Sequence, residues 1–438
     1  MGFGSRSTTN GFAATWPRLV GIILCMSKCL AASILILAAF FSSFPATHAE
    51  ETALFRLTDR AAPVGISARE PSLATLPDGR IILSWTEENG AEAEVRMAIL
   101  DGSEWSDART IHKSSKIYIN WADFPSVAVL ADGGLAAQWL KLNGEGDYQY
   151  DVNIAFSMDE GRSWTEPLIP HDDRSQREHG FVSLIPDQFG GLTALWLDGR
   201  EYDNQTEGES FENAMQLRAR QVDSDGAMKP ESLLDARACT CCQTSAARTA
   251  SGDFVAVYRD RTAEEIRDIS IVRSIGGEWT QPLTVHNDGW EIAGCPVNGP
   301  AIDAIGDKAT VIWFTAASDE PRVRIAFSDD GGMQFDEPLR LDLGAASGRV
   351  DVLQMLDGSV LALWMEYVSG GEAIVLCHVS RGTGCAAPQA LYVNRGAGSV
   401  GFPRMTRGEA GAFVAWTQPT GASDRSTTVR VVEVALAP

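Results

Sequence analysis

Short apolar runs separated by polar, glycine-bearing turns follow one another from about residue 68 to the C-terminus, and apolar positions almost nowhere recur at helical spacing. Seven stretches share one plan of apolar strand, turn, apolar strand and closing aromatic: "PSLATLPDGRIILSW", "PSVAVLADGGLAAQW", "VSLIPDQFGGLTALW", "TSAARTASGDFVAVY", "GPAIDAIGDKATVIW", "VLQMLDGSVLALW" and "PRMTRGEAGAFVAW". The closing aromatics are Trp85, Trp139, Trp196, Tyr258, Trp313, Trp364 and Trp416, spaced 54, 57, 62, 55, 51 and 52 residues apart. A four-stranded unit repeated at this period cannot bury both faces alone, so it stacks on its neighbours around an axis. The pattern predicts an all-β chain, a β-propeller of four-stranded blades, seven by this count and six if one unit is misread. The last unit stops after its third strand, "TTVRVVEVAL", so "ALFRLTD" at residues 53–59 is expected to supply the missing edge and close the ring by pairing the N-terminal strand with the C-terminal blade.

The first 49 residues break this rhythm. They hold Arg6, Arg18 and Lys28 but no acid, then the apolar run "CLAASILILAAFF" and small residues at Thr47 and Ala49, which reads as an export signal with a retained anchor as the alternative. Residues 50–438 then form one domain, expected in the periplasm or outside the cell and free of the membrane after cleavage. The chain carries a formal net charge of −22, and losing a basic leader makes the remainder more negative still. That balance argues against nucleic acid and anionic lipid as partners. A monomer is expected.

The turns after the third strands carry a motif. Ser157-x-Asp159-x-Gly161-x-x-Trp164 and Ser328-x-Asp330-x-Gly332-x-x-Phe335 suit a hairpin in which the Asp oxygens accept turn amides, Gly supplies a positive φ and the aromatic packs beneath. Both match the Asp-box, and residues 53–438 resemble the sialidase-like superfamily of Asp-box propellers. The resemblance implies structural Asp-boxes away from the active face. It also implies, for a true sialidase, three arginines that hold a substrate carboxylate, a Tyr nucleophile assisted by Glu, and an Asp acid/base. Arg69 stands where the first arginine is expected, although Glu70 replaces the Ile of the Arg-Ile-Pro pattern. Arg349 and Arg404 also open inner strands, and Tyr367 with Glu366 is a Tyr/Glu candidate. An exo-α-sialidase type of glycoside hydrolysis is thus an alternative function.

Cysteine supplies the other candidate chemistry. Cys25 and Cys29 leave with the signal, and "ACTCCQT" packs Cys239, Cys241 and Cys242 into four positions. Seventeen residues before the closing aromatics stand Ala68, Ala122, His179, Cys241 and Pro296, so His179, Cys241 and Cys295 open the inner strands of three consecutive blades, with Asp123 beside the equivalent point in the second. One reading is a soft metal site, copper or zinc, held by Cys thiolates and the His179 imidazole with Asp123 nearby. A second is disulfides, favoured by export, with Cys295 bridging to one of the three; a third is a redox-active or buried thiol. Cys377 and Cys385 are expected to form a hairpin disulfide in place of an Asp-box. The acids Asp198, Glu201, Asp203, Glu207, Glu209 and Glu212 read as a solvated loop, and His171, His286 and His378 as surface or turn residues. No phosphate loop, nucleophile elbow, haem motif or HExxH zinc motif is present. The functional expectation is an axial mouth that takes a small molecule, a metal ion or a glycan, with a non-catalytic interaction platform as the bland alternative.

Overall fold

The computed structural model describes residues 54–202, 213–421 and 426–436. The proposed signal segment and Asp203, Glu207, Glu209 and Glu212 lie outside the described residues. Within them the chain is all-β, with a single 3-10 turn at Ala317–Asp319. Seven antiparallel blades follow in order. Their first strands are Arg69–Thr75, Ser126–Val129, His179–Pro186, Ser245–Arg248, Ala301–Ile305, Ala346–Gln354 and Arg404–Gly408. In the second blade the fourth position is reduced to a bridge between Ile154 and Leu168. In the seventh, Phe55–Asp59 pairs with Thr427–Leu436, in a register running from Phe55 opposite Leu436 to Asp59 opposite Val432. The N-terminal strand thus closes the ring, as the truncated last repeat requires.

Seven apolar clusters among the described residues each straddle two adjacent blades, including the pair formed by blades 7 and 1, where Trp85 and Leu83 meet Phe413 and Val431. This is the physical content of the repeat: both faces of every blade are buried by a neighbour. The closing aromatics are the largest of these side chains and are almost wholly buried. Indole N–H groups so placed need acceptors. Trp85 donates to Glu87, Trp196 to Asp198 and Trp364 to Glu366, in each case two residues on along the same strand, at 2.6–2.8 Å.

First strands of neighbouring blades lie against one another and line the axis. Their opening residues depart from regular pairing. The ladder slips between Arg69 and Ser72, between Gly180 and Ser183, and between Gly348 and Asp351. Beside these slips Glu70, Phe181 and Arg349 hold φ of 56°, 54° and 50°, and Val297, ahead of blade 5, holds 48°. Such bulges turn side chains out of the pleat, and a β-branched residue in the left-handed region is costly, so the mouth is where the ring carries strain. The two Ser-x-Asp-x-Gly hairpins are regular by contrast. Ser157 Oγ accepts from Gly161 N at 2.8 Å and Asp159 accepts from Ser163 N, while Ser328 and Asp330 repeat the arrangement with Gly332 and Gln334. Trp164 and Phe335 pack against the cores beneath.

Candidate functional site

Two adjoining cavities of about 520 and 340 Å³ cross the mouth and share the walls Asn120, Trp121 and Tyr148. Trp121 is 42% exposed and Tyr148 49%, unusual for aromatics in this chain, where the rest are mostly core. The larger cavity is bounded by Arg69 and Glu70 of blade 1 and by Gly401, Thr417 and Thr427 of blade 7. The smaller reaches Glu178, Tyr202 and the Cys241 and Cys295 pair. A narrower polar channel follows the axis past Ser72, Asp123, Gln243 and Arg404.

A buried carboxyl flanks each side of the aromatic pair. Glu70 Oε2 accepts from Thr86 Oγ1 at 2.7 Å, while Oε1 is buried with no partner. Burial is the main cause that pushes its carboxyl up to about 8, with Asp123 adding to the rise and Thr86 and Arg69 opposing it. Glu178 Oε1 accepts from Tyr150 Oη at 2.6 Å, and burial pushes this carboxyl up to about 7 against that hydrogen bond. Removing a carboxylate from water favours its neutral form, so both groups sit near their titration midpoints in neutral solution.

The three arginines gather at one aromatic wall. Arg69 lines the larger cavity and pairs with Glu88 at 2.7 Å. Arg349 lies 5.0 Å above the Trp121 ring and 3.4 Å from Glu372. Arg404 stacks on Phe124 at 5.6 Å, 3.7 Å from Asp351. Trp121 and Phe124 are joined through Phe402, at 5.7 and 6.0 Å between centroids. Each cation already has an acid partner. Tyr367 and Glu366 do not form a pair. Adjacent strand residues face opposite sides, so Tyr367 is 61% exposed while Glu366 is buried and accepts from Trp364 Nε1 and Ala345 N. Among the described residues Tyr150 and Glu178 form a Tyr/Glu pair, with Glu178 lining the smaller cavity and Tyr150 buried behind it.

Cys241 and Cys295 form a disulfide between the start of blade 4 and the segment before blade 5, with Cα atoms 6.0 Å apart. Cys377 and Cys385 form the expected hairpin disulfide, Cα to Cα 5.9 Å. Cys239 and Cys242 are free and buried. The sulfurs of Cys239, Cys241 and Cys242 lie within 4.8 Å of one another, that of Cys239 being 3.9 Å from Cys241. Burial works against ionisation of Cys239, but the Cys242 hydrogen bond and the Arg267 and Arg259 guanidiniums bring its thiol below the ordinary range. Among the described residues no helix is long and apolar enough to cross a membrane, and the two disulfides are compatible with an oxidising compartment.

His179 and Asp123 do not join these sulfurs. Among the described residues, the groups placed to share an ion with His179 are Asp151, Asp173, Asp198 and His171, with no cysteine. Asp123 instead receives the Phe181 N–H on both oxygens, at 2.9 and 2.8 Å, and so holds the bulge at the head of blade 3. His179 stands opposite Asp198 in the ladder with its ring against Asp151 and His171, and Asp123 is held by the Phe181 amide in the bulge that follows, directions set by neighbouring elements and not by position along the chain. His171, expected at the surface or in a turn, lies on a connection but is fully buried, and so is Asp198, whose carboxylate receives Trp196 and Arg200. Counting back from the closing aromatics came within one or two residues of Glu70, Trp121 and Glu178 without selecting them.

No protein-family profile matches the chain, and no curated sequence is recognisably similar. Likeness appears only between structures. A protein of unknown function from Dyadobacter fermentans aligns over 87% of this chain and all of its own, with 14% identity and a TM-score of 0.51. The polysaccharide lyase Uly1 aligns over 85% of this chain and 91% of its own, at 10% identity and a TM-score of 0.49. The Hadza microbial sialidase Hz136 covers 68% of this chain and 63% of its own, at 17% identity and 0.42. What the chain shares with the Dyadobacter protein is a fold.

Proposed function

We propose that this exported propeller binds a glycan across its mouth and cleaves a glycosidic bond there. One observation carries the reading: two solvent-facing aromatics, Trp121 and Tyr148, stand between two buried carboxyls whose titration falls near neutrality. Sugar rings pack on aromatic faces through their C–H surfaces. A carboxyl kept protonated by burial can donate to a leaving oxygen, while a second that ionises earlier can accept from water or from an intervening hydroxyl. Glu70, titrating at about 8, takes the acid role, and Glu178, at about 7 and buffered by Tyr150, the base role.

The signs fix the pH profile. Activity is lost as pH falls through about 7, where Glu178 is protonated, and as pH rises through about 8, where Glu70 ionises, which leaves a narrow bell. The test is hydrolysis of a panel of aryl glycosides and defined oligosaccharides, with and without carboxylate groups. Glu70→Gln is expected to lower kcat about a hundredfold or more with binding retained, and Trp121→Ala to weaken binding roughly tenfold. If no glycan is bound or cleaved by the intact protein, the reading fails.

A second reading rests on the sulfur cluster. If the Cys241–Cys295 bridge is reduced, Cys239, Cys241 and Cys242 offer three thiolates within 4.8 Å, a donor set suited to copper(I) or zinc(II). Arg259 and Arg267 favour the thiolates but oppose a cation. Titration of the reduced protein with copper(I) decides it: one equivalent lost in a Cys239→Ser/Cys242→Ser variant supports the site, and no uptake removes it.

A further inference from the structure

Between blades 2 and 3 lies a second constellation that the mouth chemistry does not use. Asp151 sits on the strand Tyr150–Ser157, His171 on the connection that follows, and His179 opens blade 3. The two imidazoles stack face to face with centroids 3.9 Å apart and planes 4° from parallel, and both are fully buried.

The partners of each ring settle its tautomer. His171 Nδ1 is 2.7 Å from the carbonyl oxygen of Asp173, which can only accept, so Nδ1 carries the proton and Nε2 a lone pair. Arg174 stands 3.4 Å from the same Nδ1, but its Nη1 donates at shorter range to the carbonyl oxygens of His171 and Asp173. His179 Nε2 is 3.1 Å from the Asp173 carboxylate, again an acceptor, which leaves the lone pair on Nδ1. The Tyr150 carbonyl, 3.4 Å from that Nδ1, would need the opposite tautomer and would set a bare Nε2 against the Asp173 carboxylate.

The two bare nitrogens face one carboxylate. Asp151 Oδ1 is 3.6 Å from His171 Nε2 and 3.8 Å from His179 Nδ1, and each of the three residues offers a ligand atom within 4.8 Å of the others'. Ligands around a tetrahedral ion bonded at 2.0–2.1 Å stand roughly 3.3–3.4 Å apart; because stacked rings send their lone pairs along parallel planes, one imidazole has to tilt out of the stack as the set closes on an ion. His171 Nε2 is buried and has no hydrogen-bond partner at all. A lone pair left unanswered in the interior, in a ring whose other nitrogen is anchored, is what a ligand without its ion looks like. Three acids, Asp151, Asp173 and Asp198, lie beside the rings, while of the two nearby arginines Arg200 pairs with Asp198 and Arg174 donates to the carbonyls of His171 and Asp173.

We propose that Asp151, His171 and His179 form a site for a divalent first-row transition ion of the zinc class, with Asp173 orienting both imidazoles from behind. Two imidazoles and a carboxylate suit a borderline cation rather than calcium or magnesium, which prefer oxygen donors, or copper(I), which prefers sulfur. Asp151 and His179 are the chain neighbours of Tyr150 and Glu178, so the ion fastens the strand pair behind the smaller cavity.

The test uses the protein stripped with chelator, then titrated with zinc and, in parallel, cobalt(II). One equivalent of zinc with a raised Tm is expected, together with a cobalt spectrum lacking thiolate charge transfer. Binding should vanish in His171→Ala and in the isosteric Asp151→Asn, which keeps the fold measurable by circular dichroism. It should persist in Cys239→Ser/Cys242→Ser and weaken about tenfold to a hundredfold in Asp173→Asn. Stoichiometric zinc retained in both His171→Ala and Asp151→Asn, thiolate bands in the cobalt spectrum, or no uptake of either ion by the folded protein would each overturn the assignment.

Discussion

Three indoles in this ring are answered by a carboxylate two positions further along their own strand, and the habit separates structural acids from chemical ones. Glu366 also receives Ala345 N at 2.6 Å and Leu343 N at 3.2 Å, so its two oxygens satisfy three donors. Glu366→Ala should therefore destabilise the protein by about 3 kcal/mol, the cost of stranding buried donors, with Glu366→Gln recovering part of the loss. Chemical denaturation measures both, and activity at the mouth should survive in each. Glu70 and Glu178 contrast with this. Neither meets an indole, Glu70 keeps one oxygen unpartnered, and both line a cavity. The alternation of strand residues was available in the chain and separates Glu366 from Tyr367. The tautomers that set His171 apart were not, because they depend on the fold of a connection without periodicity.

At the scale of the element, strands and hairpins were legible because their causes are local. A glycine turn, an apolar pair of runs and a closing aromatic recur within about fifteen residues, and hairpin pairing needs nothing from further away. The heads of the inner strands were not legible. Their direction depends on bulges at Glu70, Phe181 and Arg349, which are held from outside: Glu70 N donates to Thr417 of blade 7, Phe181 N to Asp123 of blade 2 and Arg349 N to Asn298 beside blade 5. Each bulge is therefore pinned by the preceding blade, or by the segment leading into it, some 51 to 347 residues away in the chain. A count along the sequence finds the head of the strand but not the way its side chain turns. The cysteines pose the same difficulty, since the choice of Cys241 as the partner of Cys295 is made by the approach of two blades.

For the molecule as a whole, stability rests on a closed circle of seven interfaces. Truncation before Thr427 removes the strand that carries Phe55–Asp59 and exposes Trp416, Val414 and the cluster shared by blades 6 and 7. Such a chain is expected to lose cooperative unfolding, seen as a broadened calorimetric transition, whereas removing the surface pair of Arg430 with Asp59 should cost less than about 1 kcal/mol.

Closure also fixes an order of events. The strand Phe55–Asp59 leaves the ribosome before any blade exists, yet its partner, Thr427–Leu436, is made only after the first six blades. Until that strand is made this edge stays open, and the larger cavity, walled by blade 1 on one side and blade 7 on the other, has no second wall. The chain therefore cannot engage a ligand in that cavity before Thr427–Leu436 has been made: the mouth comes into being only when the ring closes.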